Sequence, residues 1–221
     1  MTNSLQKPAV QSVLRRLFTA AAADSHDGPP IPADATARQR ADALQHAYLP
    51  ISARGGELLY ALVRAARPDT VVEFGTSFGI STLYLAAAVV DNGAGHVLTT
   101  ELSEHKITAA RANLAQAGLD TVVTVLPGDA RDTLADAPDP IGLVLLDGWK
   151  DLCLPVLRLL ENKLAPGALV VADDITLPSM GNYLDYVRAP ANGYVSVEFP
   201  VEDGMEISCR AAGSHHYGSG Q

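Results

Sequence analysis

Residues 71–81, Val-Val-Glu-Phe-Gly-Thr-Ser-Phe-Gly-Ile-Ser, decide the fold that the sequence predicts. An apolar run ends in the acid Glu73, a glycine turn follows, and an apolar segment with helical character begins at Ile80. This order predicts a strand, a tight turn and a helix start, where backbone N–H groups face a ligand. The glycines read E-x-G-x-x-x-G, so the second close glycine that admits a pyrophosphate in G-x-G-x-x-G is missing. An acid there would repel a phosphate and suit a cationic amino-acid head group, although a glycine turn occurs in many α/β proteins.

Composition and charge limit the classes of protein to which the chain can belong. The chain has 221 residues, a hydrophobic content of 48% and a net charge of −9, from 16 basic and 25 acidic residues. This fits one domain with an N-terminal extension, and the negative charge disfavours a nucleic-acid partner. Cys153 and Cys209 lack metal-site spacing, which favours a reducing compartment. No segment near the N-terminus is apolar enough to span a bilayer, so we expect a soluble cytoplasmic protein without a membrane partner.

Strands and helices alternate through the central part of the chain. The predicted strands are Thr70–Phe74, His96–Thr100, Val122–Leu126, Gly142–Leu146 and Ala168–Ala172. The predicted helices between and after them are Ile80–Val90, Glu104–Ala117, Leu152–Lys163 and Ser179–Val187. This alternation predicts an α/β fold with a Rossmann-like, doubly wound, mostly parallel sheet. Two further strand-like runs, Tyr194–Phe199 and Met205–Arg210, predict a C-terminal antiparallel hairpin on the sheet edge.

The N-terminal part is predicted to be helical. Val10, Val13, Leu14 and Leu17 follow a helical period within residues 8–23, and two more helices are predicted at Ala35–Tyr48 and Arg54–Arg67. The loop 24–32, which contains His26, is either a lid or a plain linker. We therefore expect a helical extension or lid at 1–57, a core domain at 58–212 and a flexible tail at 213–221. His215 and His216 in the tail are weak evidence for a metal site.

Acidic residues follow the predicted strands at the edge where α/β proteins bind ligands. These residues are Glu73, Glu101, Asp129, Asp147, Asp173 and Asp174. Each alone is explained as a helix cap, but six on one edge indicate a site. Glu101 lies roughly 25 residues after the first glycine, where an acid binds the two hydroxyls of a ribose. Asp129 lies where an adenine edge would be, or it caps the short helix that follows.

Two segments predict a metal site and a base. Asp147, Asp173 and Asp174 follow two strands and form a set of hard oxygen ligands suited to Mg²⁺ or a similar cation. Lys150 is close enough in sequence to Asp147 to reach the same cavity, unless it is a solvated surface lysine. Trp149, the only tryptophan, flanks a cofactor or belongs to the core or an interface.

These residues resemble the catechol O-methyltransferases and their metal-dependent relatives, over about residues 49–187 and more loosely to residue 208. The resemblance implies S-adenosylmethionine (SAM) as cofactor and a divalent cation. It implies cofactor contacts for Ile51, Ser52, Glu73, Gly75, Ser81, Glu101, Asp129, Ala130, Arg131, Asp147 and Trp149. Ser81 would lie near the SAM carboxylate.

The resemblance also implies the catalytic roles. Asp147 and Lys150 would be a metal ligand and the catalytic base, and Asp173 and Asp174 would complete the metal site. Lys150, Asp174, Pro178 and Glu198 would contact the acceptor, with Glu202 a weaker candidate than Glu198 for the orienting glutamate. Two residues depart from the family pattern: Gly148 replaces a histidine and Asp174 replaces an asparagine.

The sequence therefore predicts a SAM- and metal-dependent O-methyltransferase that acts on a small molecule with adjacent hydroxyls, as a homodimer. The pKa of Lys150 would have to fall from ~10.4 toward ~7–8 for the lysine to act as a base. An O-methyltransferase of a sugar or other aliphatic hydroxyl is the first alternative. A non-catalytic SAM-binding protein and an NAD-dependent oxidoreductase are the others.

Overall fold

The computed structural model describes residues 3–25, 30–32 and 34–211. The predictions for His26, for His215 and His216 and for a flexible tail at 213–221 lie outside the described residues. Among the described residues, no helix is both long and apolar enough to span a membrane.

A seven-stranded sheet forms the centre of the molecule, and its strands run in the order β3-β2-β1-β4-β5-β7-β6. The strands are β1 Thr70–Phe74, β2 His96–Glu101, β3 Val123–Pro127, β4 Ile141–Leu146, β5 Leu164–Ala172, β6 Tyr194–Phe199 and β7 Met205–Arg210. The first five are parallel, and β7 pairs antiparallel with both β5 and β6. This confirms the predicted doubly wound fold with its C-terminal antiparallel hairpin.

Helices cover both faces of the sheet. They are α1 Pro8–Ala23, α2 Ala37–Ala43, α3 Ala53–Ala66, α4 Ile80–Asn92, α5 Glu104–Ala117, α6 Ala130–Thr133, α7 Cys153–Leu160 and α8 Gly181–Arg188. Val71 belongs to an apolar cluster with α1, α3, α4 and α5, whereas its neighbour Val72 belongs to a cluster with α6, α7 and α8. Successive strand residues point to opposite faces, so the two clusters are the two layers beneath the helices.

The N-terminal part differs from its prediction in two respects. Helix α2 has only seven residues, whereas a helix over Ala35–Tyr48 was expected; a Thr36–Gln39 capping box starts it, and Leu44 ends it. The expected boundary after residue 57 falls inside α3, and α1 contributes its buried side chains to the same cluster as the central strands. The first helix is therefore part of the main core.

Strand register brings the functional segments together. Phe74 at the end of β1 pairs with Thr100 of β2 and Leu146 of β4, and Leu146 pairs with Ala172 of β5. The residues that follow these strand ends therefore lie side by side at one edge of the sheet. They are Gly75, Glu101, Asp147 and Asp173.

Candidate active site

A cavity of about 850 Å³ opens at the carboxyl ends of β1, β2, β4 and β5. The predicted site residues that line it are Ile51, Gly75, Ser81, Glu101, Asp129, Ala130, Asp147, Trp149, Lys150, Asp173 and Asp174. The structure thus brings together residues that lie up to 123 positions apart in the sequence. Its position is the one at which doubly wound folds bind their ligands.

The glycine turn after β1 allows a close backbone contact with the β4 loop. Gly75 has a φ of 105°, and a Cβ at this position would lie 2.6 Å from the backbone oxygen of Asp147. Only glycine adopts this conformation without strain and leaves this space. The turn therefore keeps the two loops in contact at the floor of the cavity.

Glu73 lies beneath the cavity and does not line it. It is fully buried, and its carboxylate accepts hydrogen bonds from the hydroxyls of Ser81 (2.6 Å), Thr82 (2.5 Å) and Thr99 (2.5 Å). Burial raises the pKa of Glu73 to about 7, although the three hydroxyl donors oppose this. The geometry thus corrects the expected cofactor contact for Glu73: this acid fixes Ser81, which does reach the cavity.

Glu101 lines the cavity with its carboxylate held by the backbone. One oxygen accepts from the backbone N–H of Ser77 (2.9 Å), and the other from Leu102 and Ser103 (2.8 Å each). A carboxylate has about four acceptor positions, so these bonds fix its orientation and leave one free for a ligand hydroxyl.

The segment that follows β3 contributes residues both to the cavity lining and to the start of α6. Asp129 lines the cavity and also caps α6, because its Oδ1 accepts from the backbone N–H of Arg131 at 2.9 Å. The hydrogen-bonded Arg131 side chain, 2.7 Å from Asp129 Oδ2, lowers the pKa of Asp129. Arg131 itself lines a separate, smaller surface cavity, whereas Gly128, Asp129 and Ala130 of this segment line the main one.

Three carboxylates converge at the β4–β5 end of the cavity. Asp147, Asp173 and Asp174 each place an oxygen within 4.8 Å of the others. Burial raises the pKa of Asp173 to about 8, and the nearby charges of Asp147 and Asp174 add to this effect. Burial also raises the pKa of Asp147. Three hard oxygen donors that disfavour one another's ionised forms are a donor set that fits a divalent cation.

Lys150 lies between two of these acids. Its Nζ is 3.0 Å from Asp147 Oδ1 and 3.0 Å from Asp174 Oδ2. Burial lowers the pKa of Lys150, but the two carboxylates outweigh burial and hold the pKa above its usual range. The lysine thus reaches the cavity as predicted, but in these surroundings its pKa moves in the direction opposite to the expected one.

Gly148 is explained by its contact with β1. A Cβ at Gly148 would lie 2.5 Å from the Phe74 ring, so a side chain there would displace the phenyl group. Trp149 follows and lines the cavity, whereas Ser52 caps α3 by accepting from the backbone N–H of Gly55 at 3.1 Å. Of the predicted pair Ile51 and Ser52, the structure places only Ile51 along the cavity wall.

Two predicted acceptor residues lie away from the cavity lining. Glu198 on β6 forms an ion pair with Arg188 at 3.3 Å, and Pro178 is flanked by Leu177 and Ser179, which line the cavity instead. The β6–β7 loop contributes Asp203 to the lining, and Glu202 beside it accepts from the backbone N–H of Ser52 at 3.1 Å. Loop residues of this kind carry no periodic signal, which is why the sequence did not single out Asp203.

Further lining residues come from the N-terminal part and from α5. Tyr48 stacks on Phe78 with ring centroids 4.1 Å apart, and the buried Lys106 lies 5.5 Å from the centroid of the same ring. Burial lowers the pKa of Lys106. Arg40 from α2 also lines the cavity. The apolar spacing of a short helix such as α2 does not indicate which of its side chains will line a cavity in the folded protein.

Comparison with known proteins finds similarity to the methyltransferases. Residues 72–175 match the family described as a methyltransferase domain. This range contains the glycine turn, Glu101, Lys150 and the three carboxylates. This part of the chain is therefore similar to a methyltransferase domain.

Its relatives include catechol O-methyltransferases. The chain is 32% identical over 167 residues to catechol O-methyltransferase B of Danio rerio, covering 69% of this chain and 62% of the relative. It is 33% identical over 145 residues to the catechol O-methyltransferase of Mycobacterium tuberculosis, covering 65% of each chain. These matches confirm the resemblance predicted from the sequence, and the chain spans slightly less than two thirds of the length of either relative.

A solved structure supports the fold. The O-methyltransferase TomG of Streptomyces achromogenes, in complex with SAM, has a TM-score of 0.68 and a sequence identity of 21%. The superposition covers 89% of this chain and 99% of TomG. At this identity the likeness concerns the fold.

Proposed function

We propose that this chain is a SAM- and divalent-metal-dependent O-methyltransferase whose acceptor is a small molecule with adjacent hydroxyls. The observation that carries the proposal is the convergence of Asp147, Asp173 and Asp174 within 4.8 Å, with Lys150 3.0 Å from two of them. The methyltransferase domain match and the catechol O-methyltransferase relatives support the reaction class.

Cofactor and metal are assigned to different residues of the cavity. Gly75, Ser81, Glu101 and Trp149 line it and would contact SAM. The three carboxylates would hold Mg²⁺ or a similar cation, which would bind the acceptor oxygen and lower the pKa of its hydroxyl. The chain itself supplies position and electrostatics for an in-line methyl transfer.

Lys150 is the group that would take the acceptor proton. Its Nζ must be neutral to do so, and its contacts with Asp147 and Asp174 oppose that. Positive charge placed against the same two carboxylates would favour the neutral amine, because a nearby like charge lowers the pKa of a lysine. The protonation state of Lys150 would thus depend on whether a cation is bound at Asp147 and Asp174.

The mouth of the cavity favours an apolar, ring-shaped acceptor. Leu49 and Leu177 line it and remain 49% and 44% exposed, with Pro50 beside them. Large exposed apolar side chains at a cavity mouth are typical of a ligand contact. A catechol-like diol presents both an apolar ring and two adjacent oxygens, and is therefore preferred here over a sugar.

The test is a transfer assay with mass-spectrometric detection of one added methyl group on catechols and on polyols. We expect transfer to catechols, its loss with EDTA, and its return when Mg²⁺ is added. Asp173→Asn should lose activity, and the matched control Asp185→Asn, an exposed position on α8, should keep it. Full activity after exhaustive chelation would contradict the metal site, and transfer to polyols alone would favour the sugar alternative. The homodimer and the cytoplasmic location stay predictions from the sequence.

A further inference from the structure

Helix α2 lies over the cavity but is weakly anchored by apolar contacts. Arg40 and Ala41 of α2 line the cavity, together with Leu44 just after the helix. Only Ala37 and Ala41 of its seven side chains are buried. Alanine removes little apolar surface from water, so burial alone contributes little to the docking of α2.

Arg40 makes a specific contact across the cavity. Its guanidinium donates two parallel hydrogen bonds to Asp151, at 2.8 and 3.0 Å, and its Cζ lies 4.7 Å from the centroid of the Trp149 ring. We call these three residues the Arg40 clasp. A bidentate arginine–carboxylate pair combined with stacking on an indole is more specific in geometry than a single ion pair.

The clasp holds a turn that contains the proposed base. Trp149, Lys150 and Asp151 are consecutive, and the N–H of Leu152 donates to the carbonyl of Trp149 at 2.8 Å to close the turn. Arg40 contacts the residues on both sides of Lys150, while Lys150 contacts the carboxylates. A displacement of Arg40 would therefore release both flanks of the lysine.

We propose that Arg40 is a positioning residue that fastens α2 across the cavity and fixes the Trp149–Asp151 turn, and so slows the exit of the cofactor. The effect on the cofactor rests on the proposed function. The anchoring of α2 by Arg40 does not rest on the proposed function, because every contact in the clasp is between residues of the chain.

The clasp is suited to opening and closing. Asp151 keeps half of its side-chain surface exposed, and Arg40 Nε is buried without a hydrogen-bond partner among the described residues. A buried donor without a partner opposes the closed state, and an exposed ion pair is weakened by salt. The closed state is thus favoured only modestly.

The only tryptophan of the chain reports directly on this contact. We expect Arg40→Gln to increase acrylamide quenching of Trp149 fluorescence in the ligand-free protein, and Arg40→Lys, which keeps the charge but loses the bidentate geometry, to give an intermediate value. The control Asp42→Asn, an exposed position on the same helix, should match the wild type. The charge-swapped double variant Arg40→Asp with Asp151→Arg restores the ion pair but not the stacking on Trp149, so its quenching should fall below that of Arg40→Gln without reaching the wild-type value.

Dissociation of S-adenosylhomocysteine, measured by stopped flow, tests the consequence. The rate constant should rise roughly three- to tenfold in Arg40→Gln, the scale of losing one ion pair and one cation–π contact, and return toward the wild-type value in the charge-swapped variant. Unchanged quenching in both Arg40→Gln and Arg40→Lys would overturn the clasp. Raised quenching with an unchanged dissociation rate would overturn its role in retaining the cofactor. A wild type that binds no S-adenosylhomocysteine would instead refute the proposed function, and the quenching series would still decide the fastening.

Discussion

At the scale of single residues, the surroundings of Lys150 explain how one lysine serves as both a counter-ion and a proposed base. Burial favours the neutral amine, and the carboxylates of Asp147 and Asp174 favour the ammonium. In the structure the carboxylates dominate, because both lie 3.0 Å from Nζ. A cation bound to these two carboxylates would therefore lower the pKa of Lys150 and favour the neutral amine.

The first residue-scale prediction concerns this lysine. Lys150→Ala should lower kcat by roughly 10²–10⁴, because the proton acceptor is lost, and should leave the calorimetric affinity for SAM nearly unchanged. The control Lys163→Ala removes a lysine that donates to the carbonyls of Ala135 and Ala137, away from the site. Wild-type turnover in Lys150→Ala at neutral pH would exclude Lys150 as the base.

The sequence could predict the acids at the strand ends but not which way each one faces. Asp147 and Asp173 follow buried strands and reach the cavity as expected, because the register of β1, β4 and β5 aligns their ends. Glu73 belongs to the strand itself and points into the layer below, toward three hydroxyls. Glu198 was predicted from its position near the chain end, but it lies on β6 at the edge of the sheet, where it pairs with Arg188 and does not line the cavity.

At the scale of elements, prediction succeeded where a cap or a turn marks each end, as Ser103 and Gly118 do for α5. The bounds of β1, α5, β6 and β7 agree with the sequence, because an apolar pattern and a cap or turn mark both ends. Helix α2 was predicted too long, since the residues after Ala43 have no periodic signal that distinguishes helix from turn. Its role over the cavity depends on contacts with Trp149 and Asp151, more than a hundred residues away.

The element-scale prediction tests whether α1 is part of the core. Leu17 is 1% exposed and belongs to the cluster that includes Leu83 and Leu114 of α4 and α5. Leu17→Ala should reduce the free energy of unfolding by about 2–5 kcal/mol, from lost burial and the cavity it leaves. Urea unfolding followed by circular dichroism measures this, with the exposed Arg15→Ala as the control on the same helix.

A detachable extension would behave differently. If residues 1–57 formed a separate unit, Leu17→Ala would leave the main unfolding midpoint unchanged and affect only a separate, earlier transition. A single cooperative transition shifted to lower urea would instead show that α1 and the sheet unfold together.

At the scale of the whole molecule, two fully buried glutamates have opposite effects on stability as pH changes. Burial raises the pKa of both, but Arg188 donates to Glu206 at 2.6 and 2.9 Å, and this ion pair lowers its pKa overall. Glu73 has hydroxyl partners alone, and its pKa stays raised, at about 7. The contribution of Glu206 is therefore present above its unfolded-state pKa and is lost in acid, whereas that of Glu73 is present in acid.

The prediction for the whole molecule follows from the sign of the Glu73 effect. Between the unfolded-state value of about 4.5 and the folded value of about 7, the native state binds more protons at Glu73 than the unfolded state. Stability from this group is thus complete below about pH 4.5 and is lost as pH rises through 7, by on the order of 3 kcal/mol. Glu73→Gln removes the titration, so its free energy of unfolding, measured in urea with EDTA from pH 5 to 8, should fall less steeply than that of the wild type. The exposed Glu104→Gln should keep the wild-type slope. Equal slopes for wild type and Glu73→Gln would mean that the three hydroxyls keep Glu73 ionised throughout, and that its burial is compensated within the native state.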